Sequence, residues 1–170
     1  MTAYVALLRA VNVGGRKLAM ADLKSIAEEL GFERVRTFIA SGNLLFASSR
    51  SEPDVARLLE NRLGKLMGVD VPVMVRTASE MAAVVKANPF SGKPTSKVAA
   101  IFFEHAPPRE SIDQARGISD EELALGRREI YVHYPGGMGR SKLRLPARAA
   151  GTARNMNSVA RLAQLAKEME

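Results

Sequence analysis

The sequence of 170 residues contains no cysteine and no tryptophan. Without cysteine the chain has no disulfide, no thiolate nucleophile, no cysteine-based zinc site and no iron–sulfur cluster, which is consistent with the reducing cytoplasm as its location. Its only two histidines, His105 and His133, fall in different predicted elements and lack the spacing of a metal-binding pair. No carboxylate cluster accompanies them, so we expect neither a metal site nor a cofactor.

Long apolar runs and aromatic residues are also scarce. No apolar run approaches the roughly 20 residues that span a bilayer, so we expect no membrane partner. Residues 1–8 are mostly apolar but lack a basic flank, and Arg9 ends the run, which excludes a secretory signal. Aromatic residues make up 5% of the chain, and the first and third predicted strands offer only Tyr4 and Phe46 as stacking surfaces. A base-stacking platform for RNA is therefore not predicted.

Positive charge is the feature present in excess, and it is unevenly distributed. The 25 basic and 18 acidic residues give a net charge of +7. Residues 130–167 contain seven basic residues and no acidic one, so the rest of the chain is neutral overall. This basic C-terminal block indicates an anionic partner rather than a particular fold. Its members are Arg140, Lys142, Arg144, Arg148, Arg154, Arg161 and Lys167.

Apolar periodicity in residues 1–77 predicts the order strand, helix, strand, strand, helix, strand. A near-continuous apolar run over residues 3–13, broken by Arg9, predicts a central strand covered on both faces. Gly31 and Gly68 are placed to end the two helices in the left-handed conformation. The tripeptide Ser41-Gly42-Asn43 predicts a hairpin turn. Within residues 69–76, Pro72 predicts either an edge strand or the start of a strand.

Residues 78–170 repeat most of this order. A capping box of Thr77 and Glu80 opens a helix. A strand follows at residues 97–104, then a helix at 108–116 and a hairpin formed by residues 121–125 and 129–134. A terminal helix begins near Met156, and we predict no last strand before it. The prediction is an α+β fold of two ferredoxin-like (βαββαβ-type) halves, residues 1–77 and 78–170, with mainly antiparallel sheets.

The glycine-rich segment at residues 136–142 is the first candidate site. Gly139-Arg140-Ser141-Lys142 combines unobstructed backbone N–H groups with two cations and a hydroxyl, a set that can cradle a phosphate. The spacing is not that of a P-loop. The competing interpretation is a solvated loop in which glycine serves only turn geometry. Arg154 is predicted near the start of the terminal helix, where a cation opposes the helix dipole and calls for another role.

A second candidate site lies where the first strand ends. Arg9 is a charge inside an apolar strand, so it must form a salt bridge or reach a polar edge and contact an anion. Elsewhere, the adjacent residues Glu121 and Glu122 are predicted to point to different faces, which argues against a shared carboxylate site. The polar and glycine residues that accompany Arg9 are Asn12, Gly14, Gly15, Ser41 and Asn43.

Separated motifs along the chain resemble one bacterial family, filed as domain of unknown function 1697. The resemblance covers essentially the whole chain and implies a bacterial, cytoplasmic α+β protein of two ferredoxin-like halves with no settled activity. Two departures occur: Met156 stands where the family usually has tryptophan, and the stretch between Pro146 and Thr152 is shorter than usual. The motifs are Tyr4-Val-Ala-Leu-Leu-Arg-Ala-Val-Asn-Val-Gly-Gly15, the segment from Phe32 through Arg36-Thr37, Ser41-Gly-Asn-Leu-Leu-Phe46, Asn88-Pro-Phe90, Tyr131-Val-His-Tyr-Pro135, Gly139-Arg-Ser-Lys-Leu143 and Thr152-Ala-Arg-Asn155.

These observations leave three hypotheses open. The first is a soluble protein that binds a phosphate-bearing ligand, a nucleotide or a nucleic acid, through Arg140, Ser141 and Lys142. The second is an enzyme that acts on a small anionic substrate in a cleft between the two halves, where Arg9, Asn12 and Ser41 would meet the basic loop. The third is a structural or interaction protein. No catalytic residue is identified, and the sequence leaves the oligomeric state open.

Overall fold

The computed structural model describes residues 1–9, 17–39 and 42–170, which form eight strands, five α-helices and three short 3-10 helices. The 3-10 helices are Thr95–Lys97, Met138–Arg140 and Pro146–Ala150. The strands and α-helices, in chain order, are β1 (Thr2–Leu8), α1 (Met20–Glu29), β2 (Glu33–Thr37), β3 (Asn43–Ser48), α2 (Glu52–Met67), β4 (Val73–Thr77), α3 (Ala78–Lys86), β5 (Val98–Phe102), α4 (Glu110–Asp113), β6 (Glu122–Leu125), β7 (Glu129–His133), β8 (Thr152–Asn155) and α5 (Met156–Lys167).

The strands form two four-stranded antiparallel sheets, with strand orders β2-β3-β1-β4 and β6-β7-β5-β8. The predicted α+β class is confirmed. The chain divides into two compact units, Ala82–Arg161 and Met1–Met81 together with Leu162–Glu170. The last nine residues, which the sequence analysis counted in the second half, thus group with the first unit. None of the described helices is long and apolar enough to cross a bilayer.

Strand β1 lies inside the first sheet, between β3 and β4, as its continuous apolar sequence predicts. Tyr4 pairs with Phe46 on one side and with Thr77 on the other. The face of β1 that contains Tyr4 belongs to a core completed by apolar residues of α1 and α2, among them Leu23 and Leu59. Water is excluded from this face because α1 and α2 each pack one apolar stripe against it.

Local sequence signals mark the ends of α1 and α2 and the start of α3, as predicted. Gly31 and Gly68 have φ angles of +86° and +69°, the left-handed conformation that glycine adopts without strain after a helix. Thr77 and Glu80 form a reciprocal capping box. The Thr77 N–H donates to Glu80 Oε1 at 2.9 Å, and the Glu80 N–H donates to Thr77 Oγ1 at 3.1 Å.

The second unit contains a strand that the sequence analysis did not predict. Strand β8, Thr152–Asn155, pairs with β5 at the edge of the second sheet. Its four residues lack apolar alternation, so only pairing with β5 reveals it. Asn155 then caps the terminal helix, because its Oδ1 accepts the Ser158 N–H at 2.9 Å.

The two faces of strand β7 have different surroundings. Ile130 and Val132 belong to an apolar core of the second unit, whereas Tyr131 and His133 point to the opposite face. The Tyr131 hydroxyl donates to the carbonyl of Val84 in α3 at 2.7 Å. His133 is buried beside the Phe90 ring, with ring centroids 5.7 Å apart, and its Nδ1 lies 3.4 Å from Glu122 Oε1. His133 therefore packs within the second unit beside Phe90.

Stability in alkaline solution should depend on Tyr131. Burial, helped by the nearby Glu129 carboxylate, raises the pKa of Tyr131 from 10.0 to about 12. Because the folded state holds this proton more tightly than the unfolded state, the resulting stabilisation is complete below pH 10. It is lost as the pH rises towards 12, by roughly 2 kcal/mol. Tyr131→Phe should cost about 1 kcal/mol at pH 7, the value of its hydrogen bond.

Urea denaturation of wild type and Tyr131→Phe between pH 7 and 12 measures this effect. The difference in free energy of unfolding between the two proteins should shrink and then reverse above pH 10. Comparing the two proteins at each pH cancels the contribution of lysines, which titrate in both. A constant difference across this range would contradict the assignment.

Candidate functional site

A cavity of about 360 Å³ lies in the second unit between two loops. The first loop connects α4 to β6 and contributes Gly117 and residues 119–121. The second loop follows β7 and contributes residues of the segment 134–142. Three predicted ligand residues, Arg140, Ser141 and Lys142, line this cavity, whereas Gly139 lies between them and Met138 in a 3-10 turn.

A short antiparallel bridge holds the two loops together. Arg116 and Arg144 exchange both backbone hydrogen bonds, each 2.8 Å long. Gly117, next to the bridge, has φ +70°, and a Cβ atom there would lie 2.3 Å from the carbonyl oxygen of Lys142. Only glycine fits this position without moving the backbone, so Gly117 fixes the approach of the two loops.

Backbone hydrogen bonds within the second loop occupy some of the N–H groups proposed for a phosphate cradle. The Gly137 N–H donates to the Tyr134 carbonyl at 2.9 Å, closing a turn, and the Ser141 N–H donates to the Met138 carbonyl at 3.3 Å. The Ser141 hydroxyl oxygen accepts the Leu143 N–H at 3.1 Å, which leaves its own proton to donate. An anion in the cavity would therefore rely chiefly on side chains.

The basic side chains of this loop are available to a ligand. Arg140 and Lys142 are exposed, and neither side chain forms an ion pair or hydrogen bond within residues 1–9, 17–39 and 42–170. Residues 116–121 and 134–148, which include both loops, contain five basic and two acidic residues. The local balance is positive, which favours an anion.

Two acidic residues lie on the wall formed by the first loop. Asp120 is exposed, whereas Glu121 is 8% exposed and its Oε2 accepts the Ser119 N–H at 3.2 Å. Glu122 is exposed and lies beside His133, away from the residues that line the cavity. The two adjacent glutamates thus lie in different surroundings, as the sequence analysis expected.

Tyr134 contributes to both the core and the cavity. Its ring belongs to the apolar core of the second unit, and the residue is 6% exposed. Burial raises the pKa of Tyr134, the Arg148 charge lowers it and the Glu121 charge raises it, with burial the largest cause. The phenol therefore keeps its proton at neutral pH and is able to donate a hydrogen bond.

Arg154 does not belong to this cavity. It lies in strand β8, and it is 8% exposed. Its Nη1 donates to Thr152 Oγ1 at 2.8 Å and to the Ala153 carbonyl at 3.0 Å. Burial lowers the pKa of Arg154 to about 10, so it still carries its charge at neutral pH. Arg154 thus lies two residues before α5, near the start of the terminal helix as predicted, but in a strand that was not predicted.

The N-terminal candidate residues lie in the first unit or outside the described residues. Asn43 is fully buried, and its Nδ2 donates to the Phe38 carbonyl at 2.9 Å, a contact that stabilises the turn before β3. Arg9 is half-buried, and no carboxylate of the described ranges pairs with it. Its backbone N–H donates to the Pro72 carbonyl at 3.0 Å. Asn12, Gly14, Gly15 and Ser41 lie outside the described residues.

No sequence motif marks the first loop as part of a site. Gly117 and Glu121 of that loop share no chemical motif with Tyr134 at the start of the second loop, although Tyr134 belongs to one of the family-like motifs. The available signal was the glycine and the acidic residues that separate α4 from β6. Those residues also suit an ordinary turn, so only their position opposite the basic loop marks them.

A family model described as "Protein of unknown function (DUF1697)" matches residues 1–131. The chain belongs to this family. The match confirms the resemblance drawn from the sequence motifs. In this DUF1697 protein the first cavity loop lies within the matched residues, whereas the basic loop and β8 lie beyond them.

One similar solved structure is described as "the structure of conserved bacterial protein SP0830 from Streptococcus pneumoniae". The two chains are 23% identical, with a TM-score of 0.84, over 98% of this chain and 99% of the other. At this identity the likeness establishes the shared fold. A comparison with curated proteins gave no match.

Proposed function

We propose that this protein binds a small phosphate-bearing ligand in the cavity between the two loops of the second unit. The observation that supports the proposal is the pair of exposed cations, Arg140 and Lys142, on one wall of a concave site without an ion-pair partner among the described residues. Such cations gain more from an anionic ligand than cations already neutralised by a carboxylate do.

The three polar side chains of this loop would divide the work of binding. Arg140 offers a planar fork of N–H donors that matches two phosphate oxygens, and Lys142 offers a compact charge. Ser141 can donate its hydroxyl proton to a third oxygen while its own oxygen accepts from Leu143.

The size of the cavity favours a small molecule over a nucleic acid. About 360 Å³ is near the lower end of the range typical of small-ligand sites, about 300 to 1,000 Å³. A nucleic-acid backbone would instead require basic side chains that follow an extended surface. One basic residue of the C-terminal block, Arg154, is buried and contributes nothing to such a surface.

Two finer features belong to the same proposal. The strand order of each sheet supports two ferredoxin-like halves. In the first sheet β1 lies between β3 and β4, and in the second sheet β5 lies in the same way between β7 and β8. A bacterial cytoplasmic setting fits a ligand of this class. An enzyme acting between the two halves stays a hypothesis from the sequence.

The test is a titration of wild type and the double variant Arg140→Ala/Lys142→Ala with inorganic phosphate, AMP and a single-stranded oligonucleotide. Each lost charge-assisted contact is worth about 1.4 kcal/mol, so the dissociation constant for AMP should rise about 100-fold. The double variant Lys93→Ala/Arg127→Ala removes the same two kinds of charge from exposed positions of the same unit and should leave affinity unchanged.

Equal AMP affinities of wild type and Arg140→Ala/Lys142→Ala would refute the proposal. Oligonucleotide binding that is tighter than AMP binding and falls steeply with salt would favour a nucleic-acid backbone instead.

A further inference from the structure

Two other side chains that line the cavity, Glu121 and Tyr134, differ in chemistry from the cations. Both residues are more than nine-tenths buried. Neither is needed to attract a phosphate, and a carboxylate repels one. These two side chains therefore favour a part of the ligand that carries no negative charge.

Each of these two residues keeps a polar atom for a ligand. Glu121 uses Oε2 to accept the Ser119 N–H, and neither its Oε1 nor the Tyr134 hydroxyl has a hydrogen-bond partner in the part of the chain that the structure describes. Among those same residues, every side-chain oxygen or nitrogen that is cut off from solvent has a hydrogen-bond partner. Because Glu121 Oε1 and the Tyr134 hydroxyl have none, both atoms must reach solvent, although most of each side chain is buried.

We propose that Glu121 and Tyr134 bind the hydroxyl groups of the ligand, and that the ligand is a sugar phosphate, free or as the ribose phosphate part of a nucleotide. This inference rests on the proposed function, because the phosphate is taken to bind Arg140 and Lys142. A carboxylate oxygen accepts from one or two hydroxyls, as the acidic residue of dinucleotide-binding folds does with ribose. The protonated Tyr134 hydroxyl both donates and accepts.

An ammonium group is the competing partner for a buried carboxylate. The surroundings oppose it, because Arg148 lies close enough to influence the Tyr134 hydroxyl and the two loops hold an excess of positive charge. These positive groups would repel an ammonium group of the ligand, whereas they would not repel neutral hydroxyls.

The experiment compares three phosphate monoesters on the full chain: ribose 5-phosphate, propyl phosphate, which lacks hydroxyls, and 2-aminoethyl phosphate, which carries an ammonium. Wild type should bind ribose 5-phosphate at least ten times more tightly than propyl phosphate. Glu121→Gln and Tyr134→Phe keep the shape of each side chain and should each reduce this preference several-fold. Together they should bring this preference below threefold without weakening propyl phosphate binding, since neither side chain is needed to hold the phosphate.

The adjacent variant Glu122→Gln removes the same charge outside the cavity and should retain the wild-type preference. Equal wild-type affinity for ribose 5-phosphate and propyl phosphate would overturn this inference and leave the proposed function standing. Preferred binding of 2-aminoethyl phosphate would overturn it in favour of an ammonium. Failure of all three esters to bind would overturn both proposals.

Discussion

Leu59→Ala is expected to lower the free energy of unfolding by about 3 kcal/mol. Leu59 is fully buried in the core of the first unit, where α2 covers the sheet. The variant loses the transfer free energy of the removed methyl groups and also leaves a cavity, since the surrounding strands relax only partly. Urea denaturation followed by circular dichroism measures the change.

Leu66→Ala is the matched control, because it makes the same substitution in the same helix at a position that is 50% exposed. It should change the free energy of unfolding by less than about 0.5 kcal/mol. Comparable losses at Leu59 and Leu66 would show that burial does not govern the effect, since alanine has a higher helix propensity than leucine. That result would contradict the assignment of α2 as the cover of the core.

Gly117→Ala is expected to destabilise the second unit by about 2 to 4 kcal/mol and to weaken ligand binding as well. At φ +70° an alanine costs about 1 kcal/mol of backbone strain. Its Cβ would overlap the Lys142 carbonyl oxygen at 2.3 Å, so the two loops must separate. Separation breaks the Arg116–Arg144 bridge, whose two hydrogen bonds contribute about 1 kcal/mol each.

Alanine substitutions at two glycines of the second loop serve as controls, because they distinguish backbone strain from steric overlap. A Cβ at Gly136 or Gly137 would meet nothing within 4 Å, but only Gly137 has a positive φ, +90°. Gly136→Ala should therefore be neutral, whereas Gly137→Ala should cost about 1 to 3 kcal/mol, because φ +90° with ψ +151° is a backbone conformation that essentially only glycine adopts. Denaturation measures the three stabilities, and hydrogen exchange at the Arg116 and Arg144 amides reports the bridge. A Gly117→Ala protein as stable as Gly136→Ala, with both amides still protected, would refute this account.

Much of the fold could be predicted because its signals are local. Glycine after a helix and the reciprocal pair Thr77 and Glu80 specify helix ends through the conformation of a few adjacent residues. The continuous apolar sequence of β1 predicts an interior strand because both faces need cover. Strand β8 escaped prediction because four residues with a buried arginine carry no periodic signal, and their partner β5 lies about fifty residues away.

The candidate site was predictable only in part. Glycine next to Arg140, Ser141 and Lys142 is a sequence pattern with chemical meaning, and the structure places these three side chains on one cavity. The two other polar side chains proposed to bind the ligand show no such pattern. Glu121 and Tyr134 are separated by a hairpin, and their common position depends on how the loops before β6 and after β7 meet.

The sequence by itself determined the α+β class, the helix ends, the place of the excess charge and the family. Each of these depends on composition, on short-range periodicity or on motifs that need no partner elsewhere in the chain. The tertiary structure alone decided which charges are available to a ligand. It buries Arg154 in β8, leaves Arg140 and Lys142 exposed, and brings Glu121 to the same cavity. The reason is physical: burial and pairing depend on contacts between distant residues, and those contacts form only when the sheet and its loops assemble.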